Sequence, residues 1–95
     1  MPEMNFLIRW PDETTDLCYS PSLIIKDYFT PGESYALNDF VERARAALNI
    51  ASQRVQAKYG MACGHALSQI REIEQKSITF IDKPDARVAV VSFGE

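Results

Sequence analysis

A single apolar stripe in the middle of the chain restricts the folds that are open to it. From residue 37 to residue 55, apolar side chains recur at steps of four, three, four, three and four, at Leu37, Val41, Ala44, Leu48, Ala51 and Val55, with Phe40, Ala47 and Ile50 beside them. This spacing predicts one long helix with a single buried face. Asn38 is expected to cap its start and Gly60 to end it. Because alanine is small, another backbone can approach this face closely.

The first twenty residues predict a β-hairpin. Apolar residues recur at every second position of the first strand, at Met4, Phe6, Ile8 and Trp10. Pro11 and Asp12 suit the centre of a type I turn. Glu13 would then take the left-handed position of a bulged hairpin, where glycine is more comfortable. The return strand is expected at about residues 15–19.

The remaining elements are predicted from local signals. A short helix is expected over residues 21–29, with Ser20 as its cap and Pro21 at its first helical position. A third helix is expected from about residue 62 to residue 76. Residues 77–81 fit either an extension of that helix or a strand, residues 83–86 fit a turn, and the β-branched segment 87–93 predicts a strand.

This order of elements predicts an α+β fold. Its parts are an N-terminal hairpin, three helices of which one is short, and one or two C-terminal strands. We expect an antiparallel sheet with the helices packed on one face. The alternative is a three-helix core with a peripheral hairpin. A length of 95 residues indicates one domain, residues 1–95.

Charge and hydropathy exclude several classes of protein. The formal net charge is −3 at pH 7, whereas nucleic-acid-binding domains usually carry a basic excess. The longest apolar run, residues 88–91, is too short to cross a membrane. The first twenty residues lack the apolar core of a secretory signal. We therefore expect a cytoplasmic protein that binds neither nucleic acid nor membrane, with its cysteines reduced.

Three side chains are candidates for chemistry: Cys18, Cys63 and His65. A thiol at the start of the third helix would have a lowered pKa, since it lies near unpaired amides. His65 is close to Cys63 in sequence, but side chains two positions apart do not face each other on a helix. The competing interpretation is that the cysteines are packing residues. Two cysteines and one histidine cannot complete a zinc site without carboxylates, so no metal or cofactor is predicted.

Other polar groups have simple structural interpretations. Ser20 and Ser22 could hold an anion at the start of the first helix, but the capping preference of serine favours a capped strand-to-helix junction. The carboxylates of the hairpin and third helix and the arginines of the long helix are expected on the solvated surface. The aromatic residues near the hairpin are expected in the core or at its rim, and any that stay exposed would mark a contact surface: Trp10, Tyr19, Tyr28, Phe29 and Tyr35.

Four short segments together resemble one protein family. They are Arg-Trp-Pro-Asp at residues 9–12, Cys-Tyr-Ser-Pro-Ser at 18–22, Leu-x-Asp-Phe-Val at 37–41 and Ala-Lys-Tyr-Gly-x-Ala-Cys at 57–63. The chain resembles the small nitrogen starvation response proteins of the mycobacterial type from its start to about residue 73. It departs from the family pattern at Glu13, where glycine is frequent, and from residue 77 onward.

The resemblance implies a biological context. Members are encoded beside a nitrilase-family hydrolase, a radical-SAM protein, an acetyltransferase, a flavoprotein and an aminoimidazole-ribotide-synthase-like protein. This gene cluster is linked to the use of nitriles or cyanide as nitrogen sources. The resemblance carries no catalytic residues. We therefore expect an accessory protein of nitrogen-starvation metabolism that binds an enzyme of the cluster or forms a homo-oligomer. The alternative is a small enzyme or reactive-ligand binder that uses Cys63 or Cys18.

Overall fold

The computed structural model describes residues 3–60 and 64–94. In this part of the chain the elements are β1 (Met4–Arg9), β2 (Thr15–Ser20), α1 (Ile25–Tyr28), β3 (Ser34–Ala36), α2 (Leu37–Tyr59), α3 (Gly64–Ile78) and β4 (Arg87–Gly94). The strands form one antiparallel sheet in the order β2-β1-β4-β3. This confirms the α+β prediction. The alternative with a peripheral hairpin is wrong, because β1 is an interior strand of the sheet.

The hairpin has the bulged geometry that the sequence predicts. Its strands pair from Met4 opposite Ser20 to Arg9 opposite Thr15. The Glu13 amide donates to the Trp10 carbonyl oxygen over 2.9 Å, and the Trp10 amide donates to the Thr14 carbonyl oxygen over 2.7 Å. Glu13 has a φ of 72°, the left-handed conformation expected for the third residue of this loop.

Replacing Glu13 by glycine is expected to stabilise the protein by about 1 kcal/mol. The reason is that a side chain at left-handed φ costs about 1–2 kcal/mol, a cost that glycine avoids at the expense of some unfolded-state entropy. Urea unfolding followed by circular dichroism measures the difference. Glu13→Ala is the matched control and should leave the stability nearly unchanged. Equal stability of Glu13→Gly and Glu13→Ala would contradict the assigned turn.

The core lies between the sheet and α2. Phe6, Ile8, Val88 and Val90 are fully buried on one face of the sheet. The long helix turns its own buried face toward them, with Phe40, Ala44, Ala47, Leu48, Ala51 and Ser52. The aromatic rings of Trp10 and Phe40 meet edge to face at 5.8 Å. As predicted, the small residues of α2 face the packed interior.

The buried face of α2 differs from the predicted stripe at its margins. Val41, Ile50 and Val55 are only partly buried, whereas Phe40 is fully buried. Phe40 lies at the centre of the aromatic packing, because its ring is 5.3 Å from that of Phe29 as well as close to Trp10. The predicted stripe therefore has the correct helical period, but the buried face of α2 has a different centre.

Both predicted caps need correction. The first helix begins at Ile25 and not at residue 21, since Ser20 and Ser22 fold the preceding chain through local hydrogen bonds. The long helix begins at Leu37, and its N-cap residue Ala36 has no side-chain cap. The Leu37 amide instead donates to the Ala86 carbonyl oxygen over 3.1 Å. A tertiary hydrogen bond thus replaces the predicted Asn38 cap.

The ambiguous segment 77–81 is helical at its start and then turns. The third helix continues to Ile78, and the amides of Thr79, Phe80 and Ile81 bond to carbonyl groups three residues earlier. The predicted start of this helix, at about residue 62, lies outside the described residues. Gly60 ends α2 at a φ of 79°, as predicted. Within residues 3–60 and 64–94, no helix has the length and hydropathy of a membrane span.

Candidate functional site

The thiol of Cys18 is in an environment that opposes reactivity. Cys18 lies in β2 directly across from Phe6 and is only 1% exposed. Burial, together with the nearby carboxylates of Asp16 and Glu72, raises the pKa of Cys18 to about 12. Reactive thiols need the opposite surroundings, with positive charge and access to solvent. The burial of Cys18 in the core favours its interpretation as a packing residue.

His65 is not brought together with Cys18 in a ligand-sized cavity. A cavity of about 110 Å³ adjoins Cys18 and is lined by Trp10, Asp16, Leu17, Gln69, Glu72 and Ile73, without His65. Ligand pockets usually hold about 300–1,000 Å³. His65 is exposed in the first turn of α3, where its ring meets that of Tyr19 edge to face at 5.8 Å. Cys63 lies outside the described residues.

The serine-rich junction between β2 and α1 has its hydroxyl groups engaged. The Ser20 hydroxyl donates to the Ser22 carbonyl oxygen over 2.7 Å. Ser22 Oγ accepts from the Ile24 amide over 3.3 Å and from Arg54 Nη1 over 3.0 Å. Both serines are buried. The junction therefore serves as a structural connection, and the anion-binding interpretation has no support in this geometry.

Several charged groups assigned to the surface also have structural partners. Asp16 Oδ2 accepts from the Trp10 indole over 2.7 Å, which orients a core residue. Arg43 donates to the Tyr28 carbonyl oxygen over 2.9 Å and lies over the Tyr35 ring at 5.0 Å. Thr14 donates two hydrogen bonds to Asp12 that lower the pKa of its carboxyl group, and the bond from the Thr14 hydroxyl contributes more than the bond from its amide. Among the residues that the structure describes, no three or more His, Cys, Asp or Glu side chains cluster as a metal site.

The sheet face opposite the helices carries an exposed apolar pair. Leu7 on β1 and Leu17 on β2 lie directly across from each other in the register. They alternate with the buried residues Phe6, Ile8 and Cys18, so they point away from the core. Leu17 is 67% exposed, and Leu7 is partly exposed. We call Leu7 and Leu17 the leucine pair.

A groove of about 650 Å³ lies at one end of the same open face. Arg9, Ala89 and Ser34 are register neighbours on β1, β4 and β3 and line it. The hairpin turn contributes Trp10, Pro11 and Glu13, and the segment before and into β4 contributes Asp82, Lys83, Pro84, Asp85, Ala86 and Arg87. We call this site the arginine groove, after Arg9 and Arg87.

One of the two arginines of the groove is fixed by its neighbours. Arg87 donates from Nε to the Ser34 hydroxyl over 3.0 Å and from Nη2 to the Ser34 carbonyl oxygen over 2.8 Å. The strand alternation could have placed Arg9 on the outer face from sequence alone. The proximity of Arg9 and Arg87 could not have been found that way, because it depends on the pairing of β1 with β4.

Comparison with known protein families gives a match over nearly the whole chain. The family described as nitrogen starvation-induced protein NitG matches residues 5–93. No curated protein and no solved structure matches. The matched region includes both the leucine pair and the arginine groove.

Proposed function

The chain belongs to the family of the nitrogen starvation-induced protein NitG, and we propose that it acts in nitrogen-starvation metabolism as a cytoplasmic accessory protein that binds an enzyme. The proposed partner is an enzyme of the gene cluster implied by the resemblance. The observation that carries this proposal is the leucine pair on the uncovered face of the sheet.

The chemistry of the open face suits protein binding. Interfaces combine an apolar centre with a polar rim. The leucine pair is flanked in the sheet register by Arg9 opposite Thr15 on one side and by Asn5 opposite Tyr19 on the other. Burial of the leucine pair against a partner would remove apolar surface from water. This burial would stabilise the complex by about 25 cal/mol for each Å² of apolar surface removed.

The alternative function, catalysis by a thiol, has weaker support. Cys18 is buried and its pKa is raised, so it is a poor nucleophile at neutral pH. For Cys63 the alternative stays a prediction. If Cys63 is the catalytic residue, its thiol should react with a thiol reagent faster than free cysteine does.

Capture of partners from nitrogen-starved cells tests the proposal. Tagged wild-type protein is expected to retain an enzyme of the gene cluster, identified by mass spectrometry. Leu17→Ser should reduce that recovery about tenfold, because losing a central apolar contact costs more than about 1 kcal/mol. Ile78→Ser is the matched control, since Ile78 is 64% exposed but lies on α3. Equal recovery by both variants, or no cluster enzyme with the wild type, would contradict the proposal.

A second copy of the chain is the competing occupant of the leucine pair. Light scattering of purified wild type and Leu17→Ser distinguishes the two cases, since one chain has a mass of 10.7 kDa. If the wild type is a dimer and Leu17→Ser is a monomer, the leucine pair is a self-association surface. The enzyme would then not bind to this face.

A further inference from the structure

The arginine groove combines charges of both signs in different places. Arg9 and Arg87 extend from the strands that form its floor, while Glu13 on the hairpin turn and Asp82 and Asp85 on the segment before β4 line its sides. Lys83 also lines the groove, but its ammonium group lies 5.6 Å from the centre of the Phe80 ring. The floor is therefore cationic, and the sides are mainly anionic.

The two floor arginines are neighbours across strands. Arg9 pairs with Ala89, and Arg87 is two residues from Ala89 along β4, so the arginines occupy a diagonal pair of positions. Such positions lie about 7–8 Å apart, within reach of long side chains. Like charges at this separation repel each other. A carboxylate that lies between them would interact favourably with both and, through its two oxygens, would match the forked donors of a guanidinium group.

The groove contains cationic and anionic side chains that are available to pair with a ligand. Within residues 3–60 and 64–94, no hydrogen bond or ion pair engages the side chain of Arg9, Asp82 or Asp85. Arg87 is already oriented by Ser34. A ligand that is only anionic would meet the carboxylates at the sides, and a ligand that is only cationic would meet the arginines on the floor.

We infer that the arginine groove is a binding site for a small zwitterion that carries a carboxylate and an ammonium group, as α-amino acids do. The ligand's carboxylate lies between Arg9 and Arg87, and its ammonium group faces Asp82 and Asp85. Pro11, Pro84 and Ala86 supply apolar surface for its carbon skeleton. The volume of about 650 Å³ is within the range of small-molecule sites. This site goes beyond the proposed function and does not depend on it.

Three probes of similar size separate the classes of ligand. Norvaline carries both charged groups, pentanoate lacks the ammonium group, and butylamine lacks the carboxylate. In titration calorimetry of the full chain, norvaline is expected to bind at least about tenfold more tightly than either of the other two, since only it pairs with both sets of charges. Equal or tighter binding of pentanoate would overturn the zwitterion assignment. Failure of all three probes to bind would overturn the site.

Variants locate the bound probe. Arg9→Gln and Asp85→Asn should each weaken norvaline binding about tenfold, because each removes one charge-assisted contact. Both positions are exposed, so the fold should persist. Arg71→Gln on α3, which removes the same charge outside the groove, should leave the affinity unchanged. Tighter norvaline binding in Asp85→Asn would overturn the assignment. Leu17→Ser should bind norvaline like the wild type, so this site and the enzyme-binding proposal can fail separately.

Discussion

Leu48→Asp is expected to abolish cooperative folding. Leu48 is fully buried on the face of α2 that packs in the core. An unpaired carboxylate at this position either stays charged at a cost of many kcal/mol or takes up a proton and still leaves a buried polar group without a partner. A domain of this size is stable by only about 5–15 kcal/mol. Thermal unfolding followed by circular dichroism should show no cooperative transition for this variant.

Two further variants of α2 separate charge from position. Asn49→Asp introduces the same carboxylate one residue later, on the exposed side of the helix, and should change the stability by less than about 0.5 kcal/mol. Leu48→Ala should destabilise by about 2–5 kcal/mol through the cavity that it leaves. A wild-type melting curve for Leu48→Asp would show that Leu48 does not face the core.

The elements that could be predicted from the sequence are those fixed by near neighbours. The hairpin follows from alternation and from the turn chemistry of Pro11 and Asp12, and the structure even keeps Glu13 in the left-handed position. The long helix follows from its apolar period, and Gly60 ends it as expected. In each case the determining contacts lie within a few residues, which is the range that periodicity and turn preferences describe.

Features fixed by distant contacts could not be predicted. The segment Ser34–Ala36 is not among the predicted strands, yet it forms the edge strand β3 because β4 pairs with it. Leu37 begins the helix through a hydrogen bond to Ala86, which no local capping rule contains. Both departures have one cause, the position of the C-terminal strand in the sheet.

The candidate sites also differ in whether near neighbours or distant contacts determine them. Residue type alone marks Cys18, Cys63 and His65 as candidates, and the structure buries the first and exposes the third. The arginine groove cannot be predicted from the sequence, because its two arginines are 78 positions apart and become neighbours only through the pairing of β1 with β4. Residue type can suggest a chemistry, but the joining of groups into one site depends on the register of the sheet.

The Cys18 thiol is expected to react very slowly in the native protein. In a Cys63→Ser background, Cys18 is the only cysteine. Its pKa is raised from 9.0 to about 12, so at pH 8 the thiolate is about a thousandfold rarer than in the unfolded chain, and burial restricts access further. Native labelling by a thiol reagent should therefore be at least about a thousandfold slower than labelling in denaturant. Equal rates in the two conditions would show that Cys18 is accessible and would revive the catalytic alternative.

The same raised pKa determines how Cys18 affects stability as the pH changes. Below pH 9 the thiol is neutral in both folded and unfolded chains, so its full contribution to stability is present. Between pH 9 and about pH 12 the unfolded thiol ionises while the buried thiol stays neutral, and stability falls by up to about 1.4 kcal/mol per pH unit. Cys18→Ala lacks this ionisation. The stability advantage of wild type over Cys18→Ala, measured by urea unfolding at a series of pH values, should therefore shrink above pH 9, whereas a constant difference would mean that solvent reaches the sulfur in the folded state.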